Sequence, residues 1–228
     1  MTEVKITASL MCGDWLNLER DIRELEQAGV DGFHIDIMDG SFVPNFSMNL
    51  WMLEQVRAKT KKPLDVHLMV SEPLRYVRRV ADGGADFITV HAEACQDLGE
   101  TIAQIKQCGK KAGVALKVET PLSMVDRLLD QNLCEVDEFL FMATVPGFIG
   151  QRPHNEIVEK IAESKRLLAE RGCDPILMVD GGVGPENIGE LAKAGATRFV
   201  GGTRGLFKKG GSFKDNLASL KSAAASYK

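Results

Sequence analysis

Residues 33–38 read Phe-His-Ile-Asp-Ile-Met, an apolar segment of strand length that carries two polar side chains at alternate positions. Because successive side chains of a strand point to opposite faces, His34 and Asp36 lie on one face. Two further apolar runs carry similar groups, His67 in one and Asp180 at the end of the other. Buried polar groups cost free energy unless they are paired, so the pattern indicates buried strands that share a polar site.

Strand-like segments of this kind recur along the chain, and each is followed by a segment with helical periodicity. In the first helical segment, Leu18, Ile22 and Leu25 fall at positions i, i+4 and i+7. The predicted strands lie near 5–11, 32–38, 64–70, 86–92, 112–118, 138–145, 175–180 and 197–202. Later helices are predicted near 49–59, 73–82, 97–108, 122–131, 154–171, 186–194 and 213–225. Pro185 and Glu186 suit the first turn of the seventh helix.

Strict alternation of strands and helices predicts a parallel sheet with right-handed crossovers. Eight repeats are enough to close a (β/α)8 barrel, the fold known as the TIM barrel. The alternative is an open doubly wound sheet, which favours a Gly-x-Gly-x-x-Gly turn after its first strand, and residues 10–14 do not supply one. No linker or low-complexity stretch divides the chain, so we predict one catalytic domain over residues 1–228.

Composition narrows the class of protein. Hydrophobic residues make up 44% of the chain, which allows a large core, and the net charge of −4 does not favour nucleic acid or an anionic membrane as the partner. No apolar stretch is long enough to span a bilayer, and the N-terminal residues lack the apolar region of a signal peptide. The five cysteines form no Cys-x-x-Cys pair, so we expect reduced thiols and a cytoplasmic location. Cys12 follows the first strand, but no histidine base accompanies it in the sequence.

The polar residues of the strands predict a metal site. Barrel active sites lie at the carboxyl ends of the strands, and His34, Asp36, His67 and Asp180 all lie in or at the end of their strands. Two imidazoles and two carboxylates are a suitable ligand set for a divalent metal. The alternative, that the histidines are hydrogen-bonded core residues, explains one histidine better than it explains four such groups at one end of a barrel.

Glycines follow the last three predicted strands. Gly181 and Gly182 follow strand seven, Gly202 and Thr203 close strand eight, and residues 146–151 after strand six contain Gly147 and Gly150. In this fold the loops after strands seven and eight often bind phosphate, because glycine lets backbone N–H groups approach the anion. The alternative is that they are plain turns. Their position after both of those strands favours a phosphate site.

Several of these segments resemble one family. Residues 34–45, His-Ile-Asp-Ile-Met-Asp-Gly-Ser-Phe-Val-Pro-Asn, resemble the signature of the ribulose-phosphate 3-epimerases, and so do residues 65–70, 146–151 and 179–183. The resemblance covers nearly the whole chain. Residues 9–12 and 202–207, together with the His-Ile-Asp-Ile-Met-Asp-Gly motif, are particularly similar to the allulose-6-phosphate 3-epimerase branch.

The resemblance implies a function and a set of site residues. It implies one divalent ion (Zn, Fe, Co or Mn) held by the four histidine and aspartate side chains, with Asp36 and Asp180 also serving as acid and base. It implies a phosphorylated ketose as substrate and a homo-oligomer. The residues implied to contact the substrate are Ser9, His67, Met38, Met69, Met142, Gly147, Gly150, Gly181, Gly182, Gly202 and Thr203. Strand parity independently puts Met38 on the face of His34 and Met69 on the face of His67.

Three positions depart from the family pattern. Lys117-Val118 stands where the family usually has Asn-Pro, Val145 stands where a polar residue usually precedes Pro146, and Arg204 is an added cation beside the predicted phosphate loop. We expect Lys117 to influence which sugar phosphate is preferred.

The predicted reaction is inversion at C3 of a ketose phosphate, with ribulose 5-phosphate first and allulose 6-phosphate second. A carboxylate on each face of the sugar removes and returns the C3 proton while a metal stabilises the enediolate. A lyase or decarboxylase on the same fold is disfavoured, because residues 36–39 lack the lysine of an Asp-x-Lys-x-x-Asp motif. A phosphosugar sensor without turnover is disfavoured by the two carboxylates. Asp39 and Asp65 are assigned to turns or packing, and His91 and Glu93 are weaker candidates for contact with the site.

Overall fold

Eight parallel strands follow one another around a closed barrel in the order of the chain, as the alternation of segments predicts. The computed structural model describes residues 3–130 and 133–226. The strands are β1 Lys5–Ser9, β2 Gly32–Met38, β3 Leu64–Met69, β4 Phe87–His91, β5 Lys111–Leu116, β6 Glu138–Met142, β7 Ile176–Asp180 and β8 Arg198–Gly201. Pairing of β1 with β8 closes the ring, so within the described residues no barrel strand is left as an open edge.

An α-helix follows each strand and covers the outside of the barrel. The helices are α1 Leu18–Ala28, α2 Leu50–Arg57, α3 Val77–Asp82, α4 Leu98–Gln107, α5 Leu122–Asp130, α6 Ile157–Glu170, α7 Ile188–Ala194 and α8 Phe213–Ala225. The predicted start of the seventh helix is wrong by two residues. The Asn187 side chain accepts a hydrogen bond from the N–H of Gly184 and donates one to the carbonyl of Gly182, which keeps Pro185 and Glu186 in a turn.

Each strand has one face toward the helices and one toward the barrel interior. In β2, Phe33 and Ile35 pack in the outer core while His34 and Asp36 point inward. The main hydrophobic cluster takes its residues from strands and helices alike, and each large apolar side chain that it buries contributes about 1.5–3 kcal/mol. Burial of the apolar side chains on the outer face of β2 therefore makes the alternate polar side chains point into the barrel interior.

The register of neighbouring strands brings polar side chains together. Asp36 of β2 pairs directly with His67 of β3, and His34 pairs with Asp65. Because β7 lies on the far side of the ring from β3, Asp180 approaches the same point across the barrel interior. The candidate site is thus a product of strand order and register together.

The cysteines are not all unpaired, which corrects the expectation from the sequence. Cys134, in a short 3-10 turn after α5, forms a disulfide with Cys173, just before β7, with their Cα atoms 5.4 Å apart. Cys12, Cys95 and Cys108 are free thiols. Among the described residues, the helices are all too short or too polar to cross a membrane.

Candidate active site

Four side chains converge at the carboxyl ends of β2, β3 and β7. One ligand atom from each of His34, Asp36, His67 and Asp180 lies within 4.8 Å of all the others. Nε2 of His34 and Nδ1 of His67 are each 3.3 Å from Oδ1 of Asp36 and 3.9 Å from Oδ2 of Asp180. Both imidazole nitrogens thus face the same two carboxylates, and the structure brings together the four residues that the sequence singles out.

His34 supports a metal at this point. Its Nε2 is fully buried and has no hydrogen-bond partner, while its Nδ1 lies 2.9 Å from Oδ2 of Asp65. A carboxylate accepts hydrogen bonds, so Nδ1 carries the proton that it donates to Asp65, and whenever the ring is neutral its lone pair is on Nε2. An unpartnered buried nitrogen beside two carboxylates suits a divalent cation, and this donor set of two nitrogens and two oxygens fits one.

The assignment of Asp65 to packing is therefore wrong. Positions 65, 67 and 69 share one face of β3, so Asp65 points into the barrel with His67, where it also accepts a hydrogen bond from Thr89 at 3.1 Å. The strand alternation that placed His67 was enough to place Asp65. Because its carboxylate fixes which nitrogen of His34 is free, Asp65 orients a predicted metal ligand.

The two aspartates differ in proton affinity. Burial raises the pKa of both carboxyls, but around Asp36 the His34 and His67 rings outweigh burial and lower its pKa. Burial and then repulsion from Asp36 raise the pKa of Asp180 above its ordinary value. Asp36 also accepts a hydrogen bond from Ser9 at 3.1 Å, which stabilises its charged form. A pair of carboxyls whose pKa values are pushed apart is suited to acid–base chemistry.

A cleft opens above the aspartates. Methionines make its walls apolar: Met38 and Met69 pack with Met11 on one side, and Met142 packs with Val200 on the other. Of the residues predicted to contact a substrate, those that line the cleft are Ser9, Met38, Met69, Met142, Gly147, Gly150, Gly181, Gly182, Gly202 and Thr203. His34 and His67 lie fully buried below the cleft.

Side chains that the sequence does not single out hold the loop after β6 over the cleft. Nδ2 of Asn45 donates to the carbonyl of Gly147 at 2.7 Å, and Nε2 of Gln151 donates to the carbonyls of Val145 and Phe148 at 2.7 and 3.0 Å. These bonds satisfy backbone carbonyls in a segment with no helix or strand of its own, and the bond from Asn45 connects the loop after β6 to the segment after β2.

Cys12 also lines the cleft, close to Ser9. Burial raises the pKa of its thiol to about 12, with a smaller opposing contribution from the Ser9 hydroxyl. A thiol is nucleophilic only as the thiolate. The environment of Cys12 therefore does not support a catalytic thiol.

Known proteins place this barrel in a family. The model of the ribulose-phosphate 3-epimerase family matches residues 5–207. The chain belongs to this family. It is 42% identical over 201 residues to the ribulose-phosphate 3-epimerase of Bacillus subtilis, covering 88% of this chain and 91% of that relative. The corresponding protein of Escherichia coli K12 is 39% identical over 204 residues, covering 89% of each chain.

Solved structures show the fold more widely. The 3-hexulose-6-phosphate synthase from Salmonella typhimurium has a TM-score of 0.71 at 14% identity, covering 98% of this chain and all of that one. The 3-keto-L-gulonate-6-phosphate decarboxylase from Vibrio cholerae has a TM-score of 0.68 at 14% identity, with both chains fully covered. At this identity the likeness is one of fold alone, and the family assignment predicted from residues 34–45 is confirmed by the sequence relatives.

The departures from the family pattern lie at different distances from the cleft. Arg204 lines it and forms an ion pair with Glu186 at 2.5 Å, and Val145 lines it from the exposed loop. Lys117 is not among the described residues that line the cleft; its Nζ lies 4.2 Å from the ring centroid of Phe42.

Gly181 gives a direct test of the loop after β7. It has a φ of 100°, and an added Cβ would collide with the side chain of Thr144. We expect Gly181→Ala to lose about 1–2 kcal/mol of stability from its backbone conformation and, in addition, to lower kcat/KM by displacing Thr144 into the cleft. Gly29→Ala is the matched control, since Gly29 has a φ of 94° but open space around it. Chemical unfolding and kinetics of both variants measure this, and an equal kcat/KM in the two would contradict the assignment.

Proposed function

We propose that this protein is a metal-dependent 3-epimerase of a ketose phosphate and that it interconverts D-ribulose 5-phosphate and D-xylulose 5-phosphate. The proposal rests on Asp36 and Asp180, two buried carboxyls that lie beside two imidazole nitrogens. The pKa of Asp36 is lowered and that of Asp180 is raised. The names of the relatives support the choice of ribulose phosphate. We also propose that the barrel is one catalytic domain over residues 1–228.

In the proposed mechanism the two aspartates act on opposite faces of the sugar. Asp36, ionised at neutral pH, accepts the C3 proton, and the electron pair of the broken C–H bond moves into the enediolate. Asp180, which holds a proton more tightly, donates it to C3 from the other face, and the configuration inverts. In the reverse direction the roles exchange. A divalent cation held by His34, Asp36, His67 and Asp180 would stabilise the negative charge that develops on the C2 and C3 oxygens.

Other residues of the cleft protect and orient the substrate. Met38, Met69 and Met142 offer apolar, polarisable side chains with no proton to donate, so they keep water away from the enediolate without quenching it. We assign the phosphate to the backbone N–H groups of Gly181, Gly182, Gly202 and Thr203, with help from the Gly147–Gly150 loop, and the Ser9 hydroxyl to substrate contact. Binding of the remote phosphate positions C3 between the two carboxyls.

The decisive experiment is a panel of ketose phosphates assayed in deuterium oxide with added Mn, Co, Fe or Zn. We expect C3 epimerisation of ribulose 5-phosphate, with deuterium at C3 of the product. D-allulose 6-phosphate is the second candidate, favoured by residues 202–207. Absence of C3 inversion with every substrate and metal would refute the proposal, and the ratio of kcat/KM values decides between the two sugars.

The phosphate assignment predicts a large preference over the free sugar. Hydrogen bonds to a charged group are worth about 1.5–3 kcal/mol each, so the loss of two of them lowers kcat/KM by about 10²-fold or more. The measurement compares D-ribulose 5-phosphate with D-ribulose. Equal kcat/KM values for the two would remove the phosphate site from the mechanism.

We further propose a homo-oligomer acting in the cytoplasm, with the metal drawn from Zn, Fe, Co and Mn. Support for self-association comes from large apolar side chains left exposed near the start of α1 and α2, among them Leu16 at 94% and Trp51 at 68%. Apolar surface of this kind is typical of interfaces. Light scattering of the purified protein measures the oligomeric state.

A further inference from the structure

A third imidazole, in addition to those of His34 and His67, lies next to the Nε2 atom of His67. His91, the last residue of β4, places its Nε2 2.9 Å from Nε2 of His67, and the ring centroids lie 5.0 Å apart with the ring planes inclined at 30°. Both side chains are fully buried. On the other side of His91, its Nδ1 lies 3.1 Å from Oε2 of Glu93. A continuous hydrogen-bonded chain therefore runs from the site through two rings to a carboxylate.

The direction of every hydrogen bond in this chain is determined by its carboxylate end. Glu93 already accepts hydrogen bonds at Oε1, from the N–H of Lys117 at 2.9 Å and from the hydroxyl of Thr120, so Nδ1 of His91 is the donor to Oε2. A neutral imidazole has one N–H, which leaves Nε2 of His91 as an acceptor. Nε2 of His67 must then donate, and the lone pair of His67 is on Nδ1, the atom that faces Asp36 and Asp180.

The outer end of the chain is itself anchored. Nζ of Lys160, from α6, donates to the carbonyls of Lys117 and Thr120 at 2.8 Å each. The segment 117–120 after β5 is thus held between Glu93 and Lys160, and Glu93 cannot move without breaking these bonds.

We propose that His91 and Glu93 are positioning residues that hold His67 in its Nε2–H form and so aim its Nδ1 lone pair at the site between Asp36 and Asp180. Without them the proton of His67 is free to occupy Nδ1, where it finds two carboxylate acceptors, and that form presents no lone pair to a cation. The inference rests on the proposed function only in taking that cation as the purpose of the site.

The tautomer of His67 is measurable without substrate. We would record nitrogen–hydrogen correlation spectra of the full chain with isotope-labelled histidine, both zinc-loaded and after chelator treatment. The chain has four histidines, so single variants assign every ring. We expect His67 to be protonated at Nε2 in both samples and His91 at Nδ1. Protonation of His67 at Nδ1 in the chelator-treated protein would overturn the proposal.

Three variants separate positioning from a structural role. His91→Phe keeps a ring but removes the acceptor, and we expect it to weaken zinc binding by about 10–100-fold in a competition assay with a chromophoric chelator. His91→Gln offers an amide oxygen to His67 and an amide N–H to Glu93, so it should restore most of the affinity. Thr120→Val is the matched control: it removes another hydrogen bond of Glu93 while leaving both imidazoles in place, and its zinc affinity should match the wild type.

The outcomes are distinguishable from failure of the proposed function. Unchanged zinc affinity in His91→Phe, or an equal loss in Thr120→Val, would overturn the positioning role. If His91→Phe does not fold, two other measurements still test the positioning role: the tautomer of His67 in the wild type and the zinc affinity of His91→Gln. A zinc affinity of His91→Gln as low as that of a metal-ligand variant would contradict the proposal. A protein that shows the expected tautomer but epimerises no ketose phosphate would refute the function alone.

Discussion

Asp36→Asn and Asp180→Asn should each lower kcat for epimerisation by about 10²–10⁴-fold, the usual contribution of a positioned acid or base. An amide keeps the size and one oxygen of the carboxylate but cannot accept a proton from carbon. Because the two aspartates face each other across the site, neither can take over the role of the other. Asp82→Asn, at the exposed end of α3, is the matched control and should leave kcat unchanged.

Proton exchange in deuterium oxide makes this prediction sharper. With Asp36 intact, Asp180→Asn should still exchange the C3 proton of the epimer whose C–H bond faces Asp36, returning deuterium to the same face without inversion. Asp36→Asn should exchange the other epimer. Opposite epimer selectivity in the two variants assigns one face to each aspartate. Retention of the C3 hydrogen during inversion by the wild type would instead point to a mechanism without proton exchange, such as hydride transfer.

The fold could be predicted from the sequence because its signal repeats. Each strand shows buried alternation on one side, as in residues 33–38, and each is followed by a periodic helix, so an error at one boundary does not change the count. The boundary errors have local causes. Asn187 holds a turn that delays α7, and the chain enters a 3-10 turn at Leu10 where the first strand was predicted to continue. The alternation rule also predicts the shared face of His34 and Asp36.

Contacts across the barrel interior could not be predicted in the same way. Register puts His67 beside Thr89 on β4, yet its ring meets His91, which is two residues further on. Arg198 and Glu138, on the non-adjacent strands β8 and β6, form a buried ion pair at 2.6 Å. Such diagonal pairs depend on the stagger of strands around the closed barrel and on side-chain rotamers, and the sequence of a single strand determines neither of these.

His34→Ala and His67→Ala should each release the divalent metal and remove activity. The wild type, purified without chelator, should contain close to one divalent ion per chain, and removal of that ion should abolish turnover until Mn, Co, Fe or Zn is added back. His154→Ala is the matched control, since this histidine is exposed and lies outside the cluster. Elemental analysis and competition with a chelator measure the loss, which should exceed the change of about 10–100-fold expected when only a residue that supports a ligand is replaced.

The same site predicts how metal affinity varies with pH. Burial opposes a proton on His34, but the charges of Asp36 and Asp65 outweigh it and raise the pKa of this ring well above its ordinary value. The proton therefore competes with a cation for Nε2, and affinity should fall as the pH is lowered. Asp65→Asn removes one of these charges along with the carboxylate that fixes the ring. We expect Asp65→Asn to weaken metal binding and to make the remaining affinity less dependent on pH. Full metal content and full activity in His67→Ala, by contrast, would show that the cluster is not the metal site.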